Sequence, residues 1–345
     1  MIQTAEVIKT LTNATGLSGY EAQIRNLLKA QFAPLCDEVR ISKVGSLHAI
    51  KRGAGAADAK RRTLMLAAHA DEIGLIVTGV HQGFLRIARV GGSDPRILLG
   101  QRVLAHPAKG EPLPGIIASR PPHVLPANKR NNVVPLDELF IDVGLTAAQA
   151  QRTFQVGDLV SFDVQTVSLK GDLLTGKALD NRVSVAAMLV CLSELQQMKH
   201  SWDVVAVSTV GEETSMRGAR TSTYALEPDA AIAIDVTFAA QNDYPSGIEL
   251  GKGPVITIGP NYHPAMTKRL MELAKRMDMS YQVEAEIGGG TDAWAIQVSQ
   301  AGVPVSLLGV PLRYMHSPVE VVHVKDVERI GRLMAQYAAE LTDGI

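Results

Sequence analysis

Apolar positions along the chain repeat with two different periods, and the switches between them mark its organisation. Residues 2–12 read as a short helix. After the turn at Gly16-Leu17, Ser18-Gly-Tyr-Glu21 has the form of a capping box and opens a second helix through Gln31. Residues 39–50 have the alternation of a hairpin around Val44-Gly45, and residues 62–68 form a short strand apolar enough to be buried on both faces.

From Gly74 to Asp163 short β-branched stretches alternate with turn signals, and Pro107, Pro112, Pro114, Pro121, Pro122, Pro126 and Pro135 punctuate the middle. Residues 146–153, capped by Thr146, are the only helical exception, and residues 121–132 (PPHVLPANKRNN) read as a mobile loop. Strand and helix then alternate: helix 181–197, strand 204–210, helix 217–226, strand 230–234, helix 264–277, strand 303–308 and helix 324–341. That alternation predicts an α/β fold, a mostly parallel sheet with helices on both faces. Residues 1–73 and 164–345 form one discontinuous domain in this reading, with residues 74–163 inserted as a small β-barrel-like domain.

Composition then narrows the classes of function. The 345 residues, 46% hydrophobic and 20% charged, suit one large soluble domain or two ordinary ones. A net charge of -1 and a pI near 6.8 leave no basic footprint for nucleic acid or an acidic membrane, so a small or neutral substrate is expected. The two cysteines, Cys36 and Cys191, suggest neither CxxC redox chemistry nor a disulfide framework, and a reducing cytoplasm fits. Glu6 and Lys9 interrupt the amino-terminal apolar stretch, and residues 183–192 are too short a run to span a bilayer, so neither secretion nor membrane insertion is expected.

Candidate chemistry gathers at the ends of predicted strands. Glu212 and Glu213 stand where the apolar run 204–210 stops against Gly211, and acids there need water, a partner or a metal ion. In extended backbone they would face different ways. Strand 62–68 runs into His69-Ala70-Asp71-Glu72, which puts His69 and Asp71 on one face and Glu72 on the other. One of the first two can bind an ion while the other fixes its orientation. Asp180 stands where a helix begins and could equally be an N-cap. Asp235 closes strand 230–234, and His316 lies in a loop after strand 303–308, since Pro318 denies helix at Ser317. His323 alternates with apolar neighbours and reads as structural, whereas His48, His81, His106, His123, His200 and His263 lack acidic strand-end surroundings. Carboxylate and imidazole donors without thiolates suit zinc, cobalt or manganese, and several acids at one place suit two divalent ions sharing a bridging carboxylate.

The segments AHADEIG, GKALDNR, GEETSMRGA, IDVT, GGGTDA and RYMHSPVE occur in the order found in the tetrahedral (TET) aminopeptidases, the glutamyl and deblocking aminopeptidase group of dinuclear metallopeptidases, and the resemblance spans nearly the whole chain. It implies a zinc-peptidase-like α/β domain interrupted by a small β dimerisation domain. It further implies two divalent ions, zinc or cobalt before manganese, with Asp180 bridging them. His69 and Asp235 would complete one site, Glu213 and His316 the other, with Glu212 as general base and Asp71 orienting His69. Gly288, Gly289, Gly290, Thr291 and Asp292 would line the substrate cleft, although a glycine-rich loop capped by Thr291 explains the same residues. Thr214-Ser215-Met216 departs from the Val-Gly-Leu or Val-Gly-Thr more usual in relatives, which bears on the wall of the specificity pocket. The expected substrates are peptides with a free amino terminus, and the expected partners are copies of the chain, as dimers and a hollow dodecamer.

Three rival functions remain at this stage. A carboxypeptidase or deacylase could use the same ions, and an assembly subunit could bind them without catalysis. A glycosidase using Glu212 and Glu213 is disfavoured because neighbouring acids on an extended strand diverge, whereas retaining glycosidases need carboxyls about 5 to 5.5 Å apart. Only 4% of residues are aromatic and able to stack a sugar.

Overall fold

A computed structural model describes residues 2–54, 61–242, 244, 246–342 and 344–345. The chain begins with α1 (Thr4–Asn13), α2 (Ala22–Phe32), β1 (Glu38–Ile41), β2 (Leu47–Lys51) and β3 (Thr63–His69). Six strands follow, β4 (Gly74–His81), β5 (Phe84–Val90), β6 (Arg102–His106), β7 (Leu113–Ala118), β8 (Phe140–Asp142) and β9 (Leu159–Phe162), with short helices α3 (Pro95–Leu98) and α4 (Ala147–Thr153) among them. Next come β10 (Val167–Ser168), β11 (Leu173–Gly176), α5 (Leu179–Glu194), β12 (Asp203–Thr209), α6 (Glu212–Ser215), α7 (Arg217–Leu226) and β13 (Ala230–Phe238). The chain ends with β14 (Val255–Ile258), α8 (Pro264–Arg276), β15 (Gln282–Ala285), α9 (Asp292–Gln297), β16 (Val305–Arg313), β17 (Glu320–His323) and α10 (Val324–Ala339).

Strands β4 to β9 close into an antiparallel barrel in the order β4-β5-β8-β7-β6-β9, around Leu75, Val77, Leu85, Val103, Ile141 and Val160. The other eleven strands form one mixed sheet whose central four, β12-β3-β13-β16, are parallel. Their apolar runs show why they lie there. In β3, Leu64, Leu66 and Ala68 face a core shared with α1, α5 and α10, while Met65 and Ala67 face a second core that includes Ala219 of α7 and Ala293 and Ile296 of α9. Burying both faces makes each large aliphatic side chain of β3 contribute about 1.5–3 kcal/mol.

Several boundaries differ from the sequence reading, each for a tertiary reason. The capping box at Ser18 does not form: the Ser18 hydroxyl pairs with Thr214 Oγ1 at 2.9 Å, and Glu21 accepts N–H bonds from Gly19 and Gly211. Strand β13 continues past Ile234 to Phe238 because its pairing with β16 continues, so Asp235 lies within the ladder opposite Gly309. Glu212 and Glu213 do not leave β12 in extended form. Gly211 adopts φ +64°, open to glycine but unfavourable for other residues, and turns the chain into the single-turn helix α6. Helix α3 and strands β14, β15 and β17 are short elements that the hydrophobic pattern did not announce.

A buried ion network joins the amino-terminal segment to the sheet. Arg182, fully buried, donates to the carbonyls of Ala70 at 3.0 Å and Leu11 at 2.9 Å and to Glu72 Oε1 at 3.2 Å, while Lys177 meets the other Glu72 oxygen at 2.7 Å. Glu72 therefore turns away from His69, as its place in the strand predicts. Replacing Arg182 with Met leaves those carbonyls unpaired and is expected to cost about 3 kcal/mol or more. Urea denaturation monitored by circular dichroism measures this, and an unshifted midpoint would show that the network adds no stability.

Candidate metal centre

The carboxyl ends of the parallel strands bring distant residues to one edge, the place where open α/β sheets site their chemistry. His69 ends β3 opposite Thr209 of β12, and two residues beyond the rung Ala233–Ala67 Asp235 falls level with it. The turn at Gly211 delivers Glu212 and Glu213, and the loop after β16 delivers His316. Asp180 arrives from below. It has φ -73° and ψ 108° and is followed by a cis peptide bond, so it stands outside the regular helix that α5 becomes, and its side chain points to histidines rather than capping the helix.

The two oxygens of Asp180 divide between two clusters. Oδ1 is 3.2 Å from His69 Nε2, which also lies 3.8 Å from Asp235 and 3.7 Å from Glu212. Oδ2 is 3.3 Å from His316 Nε2, itself 3.6 Å from Glu213. His69–Asp180–Asp235 and Asp180–Glu213–His316 each gather three ligand atoms within 4.8 Å of one another, the spacing of atoms that surround a cation.

A layer of acids behind these residues holds them by their backbone. The Asp71 carboxylate accepts the N–H of Glu212 at 3.1 Å and of Glu213 at 3.2 Å. It lies 3.6 Å from His69 Nδ1, whereas the Asp71 carbonyl is nearer at 3.2 Å. Both the main-chain carbonyl and the carboxylate of Asp71 thus stand beside His69 Nδ1, the carbonyl being the nearer. Glu21 accepts the N–H of Gly211, and Glu320 those of Asp180 and His316. Gly92, in the loop after β5, lies so close to His316 that a Cβ there would stand 2.5 Å from Nδ1. Sequence reasoning gave Glu21 only a capping role and singled out neither Gly92 nor Glu320, although Glu320 ends RYMHSPVE and the adjacent Gly91-Gly92 pair is a signal of close backbone approach.

Burial sets the electrostatics. It pushes Glu212 up to about 10, with help from Asp235, Asp292 and Glu213, and Glu213 up to about 7, with help from Asp180. Asp180 is held below the usual carboxylate range: hydrogen bonds from His316 and His69 outweigh its burial. The Asp180 hydrogen bond raises His316 to about 9. A largely buried, acid-rich cluster of this kind fits divalent cations, which supply the positive charge that its own imidazoles supply only while protonated.

The cluster floors a cavity of about 740 Å³. Met216, Thr237, Phe238, Glu284, Glu286 and Thr291 wall it, together with Gly288, Gly289 and Gly290, and no Lys or Arg is among the lining residues described. Asp292 stands behind this wall, buried, with Oδ2 2.5 Å from the Thr209 hydroxyl and its carboxyl raised by burial to about 6. The Thr291 side chain makes no capping bond to α9.

A family model described as M42 glutamyl aminopeptidase matches residues 45–333. The chain belongs to that family. This M42 chain is 34% identical to a lysyl aminopeptidase of Pyrococcus furiosus, across 97% of each. A TET aminopeptidase from a marine-sediment Thaumarchaeota archaeon superposes with a TM-score of 0.93 at 31% identity, covering 99% of this chain and 98% of that one. For a Pyrococcus horikoshii TET peptidase that can assemble into a tetrahedron or a large octahedral shell, the TM-score is 0.87 at 30% identity, covering 98% and 100%. The M42 chain is thus a metal-dependent aminopeptidase with the TET peptidase fold. Among its described residues no helix is long and apolar enough to cross a membrane.

His316 gains proton affinity on folding, so the stability from its pairing with Asp180 is fully present below about 6.5 and is lost as pH rises through about 9. Coordination requires the neutral imidazole. Metal-free protein titrated with Zn²⁺ at pH 7 is therefore expected to release protons. Calorimetry in buffers of different ionisation enthalpy counts them, and proton-neutral binding would contradict this arrangement of ligands.

Proposed function

We propose that the M42 chain removes amino-terminal residues from peptides with two divalent ions bridged by Asp180, one completed by His69 and Asp235 and the other by Glu213 and His316. The division of the two Asp180 oxygens between two histidines is the observation that carries this reading. Oxygen and nitrogen donors favour Zn²⁺ or Co²⁺, with Mn²⁺ also compatible. The bound ions supply Lewis acidity, polarising the scissile carbonyl and making a nearby water more acidic.

Glu212 is the general base in this proposal. It belongs to neither three-residue group, faces the cavity, and is held at its own N–H by Asp71. Its raised proton affinity falls towards neutrality when cations stand nearby, which suits taking a proton from water and giving it to the departing amine. Glu212→Gln keeps the shape and removes the base, so it should retain both ions yet lose roughly 10² to 10⁴ in kcat. Metal analysis beside turnover checks this, and near-normal turnover would remove the assignment.

The cavity wall supports an exopeptidase that meets a positively charged amino end. Glu284 and Glu286 lie on one face of β15 and its continuation, two residues apart; Gly289 leaves room for the Glu286 carboxylate, and Gly290 lets a peptide backbone approach. Thr291 lines that wall with its hydroxyl buried, and Asp292 supports it from behind. With no Lys or Arg described at the wall to meet a carboxylate, the carboxypeptidase reading finds no support. A panel of aminoacyl chromogenic substrates should favour lysyl and arginyl over glutamyl compounds by tenfold or more, an effect of about 1.4 kcal/mol. Preference for the acidic substrates would reverse this reading of the wall.

The same proposal makes residues 74–163 the dimerisation module, with Phe84, Ile116, Val124 and Val133 exposed on it, and extends to a closed dodecamer that admits unstructured peptides. A cytoplasmic location suits the free thiols of Cys36 and Cys191.

A further inference from the structure

We propose that Glu320 is a positioning residue that fixes the spacing between Asp180 and His316; this rests on the two-ion reading. Glu320 opens β17 and pairs with Gly176 across the antiparallel ladder with β11. Asp180 lies four residues after Gly176, and His316 four residues before Glu320. The rung therefore draws together two loops distant in sequence, and the Glu320 side chain closes both. Its Oε2 accepts from the Asp180 N–H at 3.0 Å, and its Oε1 from the His316 N–H, also at 3.0 Å. With Glu320 only 2% exposed, water does not substitute for either bond.

The His316 backbone shows why such a tie is needed. It has φ +61°, a left-handed conformation uncommon for a residue with a side chain, and Tyr314 nearby has φ +59°. Such conformations persist where surrounding contacts over-determine them. Ser317 secures the Tyr314 side by donating to its carbonyl at 2.5 Å, and Glu320 secures the His316 side. A glutamine at 320 offers one acceptor and turns an NH₂ group against the other N–H; an aspartate is one methylene short of spanning both.

The competing explanation is that a buried carboxylate merely stitches loops. Asp326 provides that comparison: buried and outside the cavity lining, it accepts the N–H groups of Gly251 and Gly253 at 2.6 and 2.8 Å. Metal-free full-length protein and its Glu320→Gln and Asp326→Asn variants would be titrated with Co²⁺, followed by calorimetry and visible absorption, with kcat and KM measured on one aminoacyl substrate. Both variants should melt at lower temperature. Only Glu320→Gln should weaken one of two Co²⁺ steps, by roughly 10- to 100-fold, alter the Co²⁺ spectrum, and lower kcat with little change in KM. Wild-type affinity at both steps in Glu320→Gln, or losses matching those of Asp326→Asn, would overturn the inference while leaving the two-ion reading intact. Wild-type protein that binds no Co²⁺ would overturn both. If Glu320→Gln does not fold, Glu320→Asp is read by the same criteria.

Discussion

Concentrating negative charge in a largely buried place governs the architecture around the sheet edge. The carboxylates of Asp71, Asp180, Glu212, Glu213 and Asp235 converge on two imidazoles, Asp292 lies buried behind them on Thr209, and the described wall of the cavity offers no Lys or Arg. Such a cluster repels itself unless something else supplies positive charge. Backbone dipoles supply part of it: the N–H groups of Glu212 and Glu213 point at Asp71, and those of Asp180 and His316 at Glu320. This fixes geometry without neutralising charge, and it leaves the cations of a metal-dependent enzyme to complete the balance.

The cationic side chains are kept on the opposite side of the same strand end. Lys177 and Arg182 engage Glu72, which follows Asp71 in sequence but turns the other way. Adjacent acids thus experience opposite environments, one inside an ion network that anchors the amino-terminal segment, the other facing the candidate metal centre. Moving either cation to the cavity side would fill the site with the charge that an ion or a substrate's amino group would otherwise bring.

Those features dictated by local pattern were legible in the sequence. The four parallel strands were readable because burial on both faces demands unbroken apolar runs, and the barrel because its prolines and short β-branched stretches interrupt helical periodicity. Strand lengths were not: β13 reaches Phe238 only because β16 runs beside it. The capping pattern at Ser18 and Glu21 was locally sound, yet Thr214 and Gly211 claimed both side chains. At the candidate site, His69, Asp180, Glu213, Asp235 and His316 could be suspected because imidazoles and acids are conspicuous beside apolar strands. Glu21, Gly92 and Glu320 act on backbone or through the lack of a side chain, over separations that no local pattern records.

Gly92 brings the barrel segment against a candidate metal ligand of the sheet edge. The imidazole of His316 rests against main chain contributed by a segment more than two hundred residues earlier, without room for a single methyl group between them. The barrel segment and the sheet therefore meet at His316, and excising the barrel to obtain a smaller peptidase would remove the surface on which a candidate ligand leans. The insertion and the sheet must change together, so this seam limits how freely either can be exchanged or redesigned.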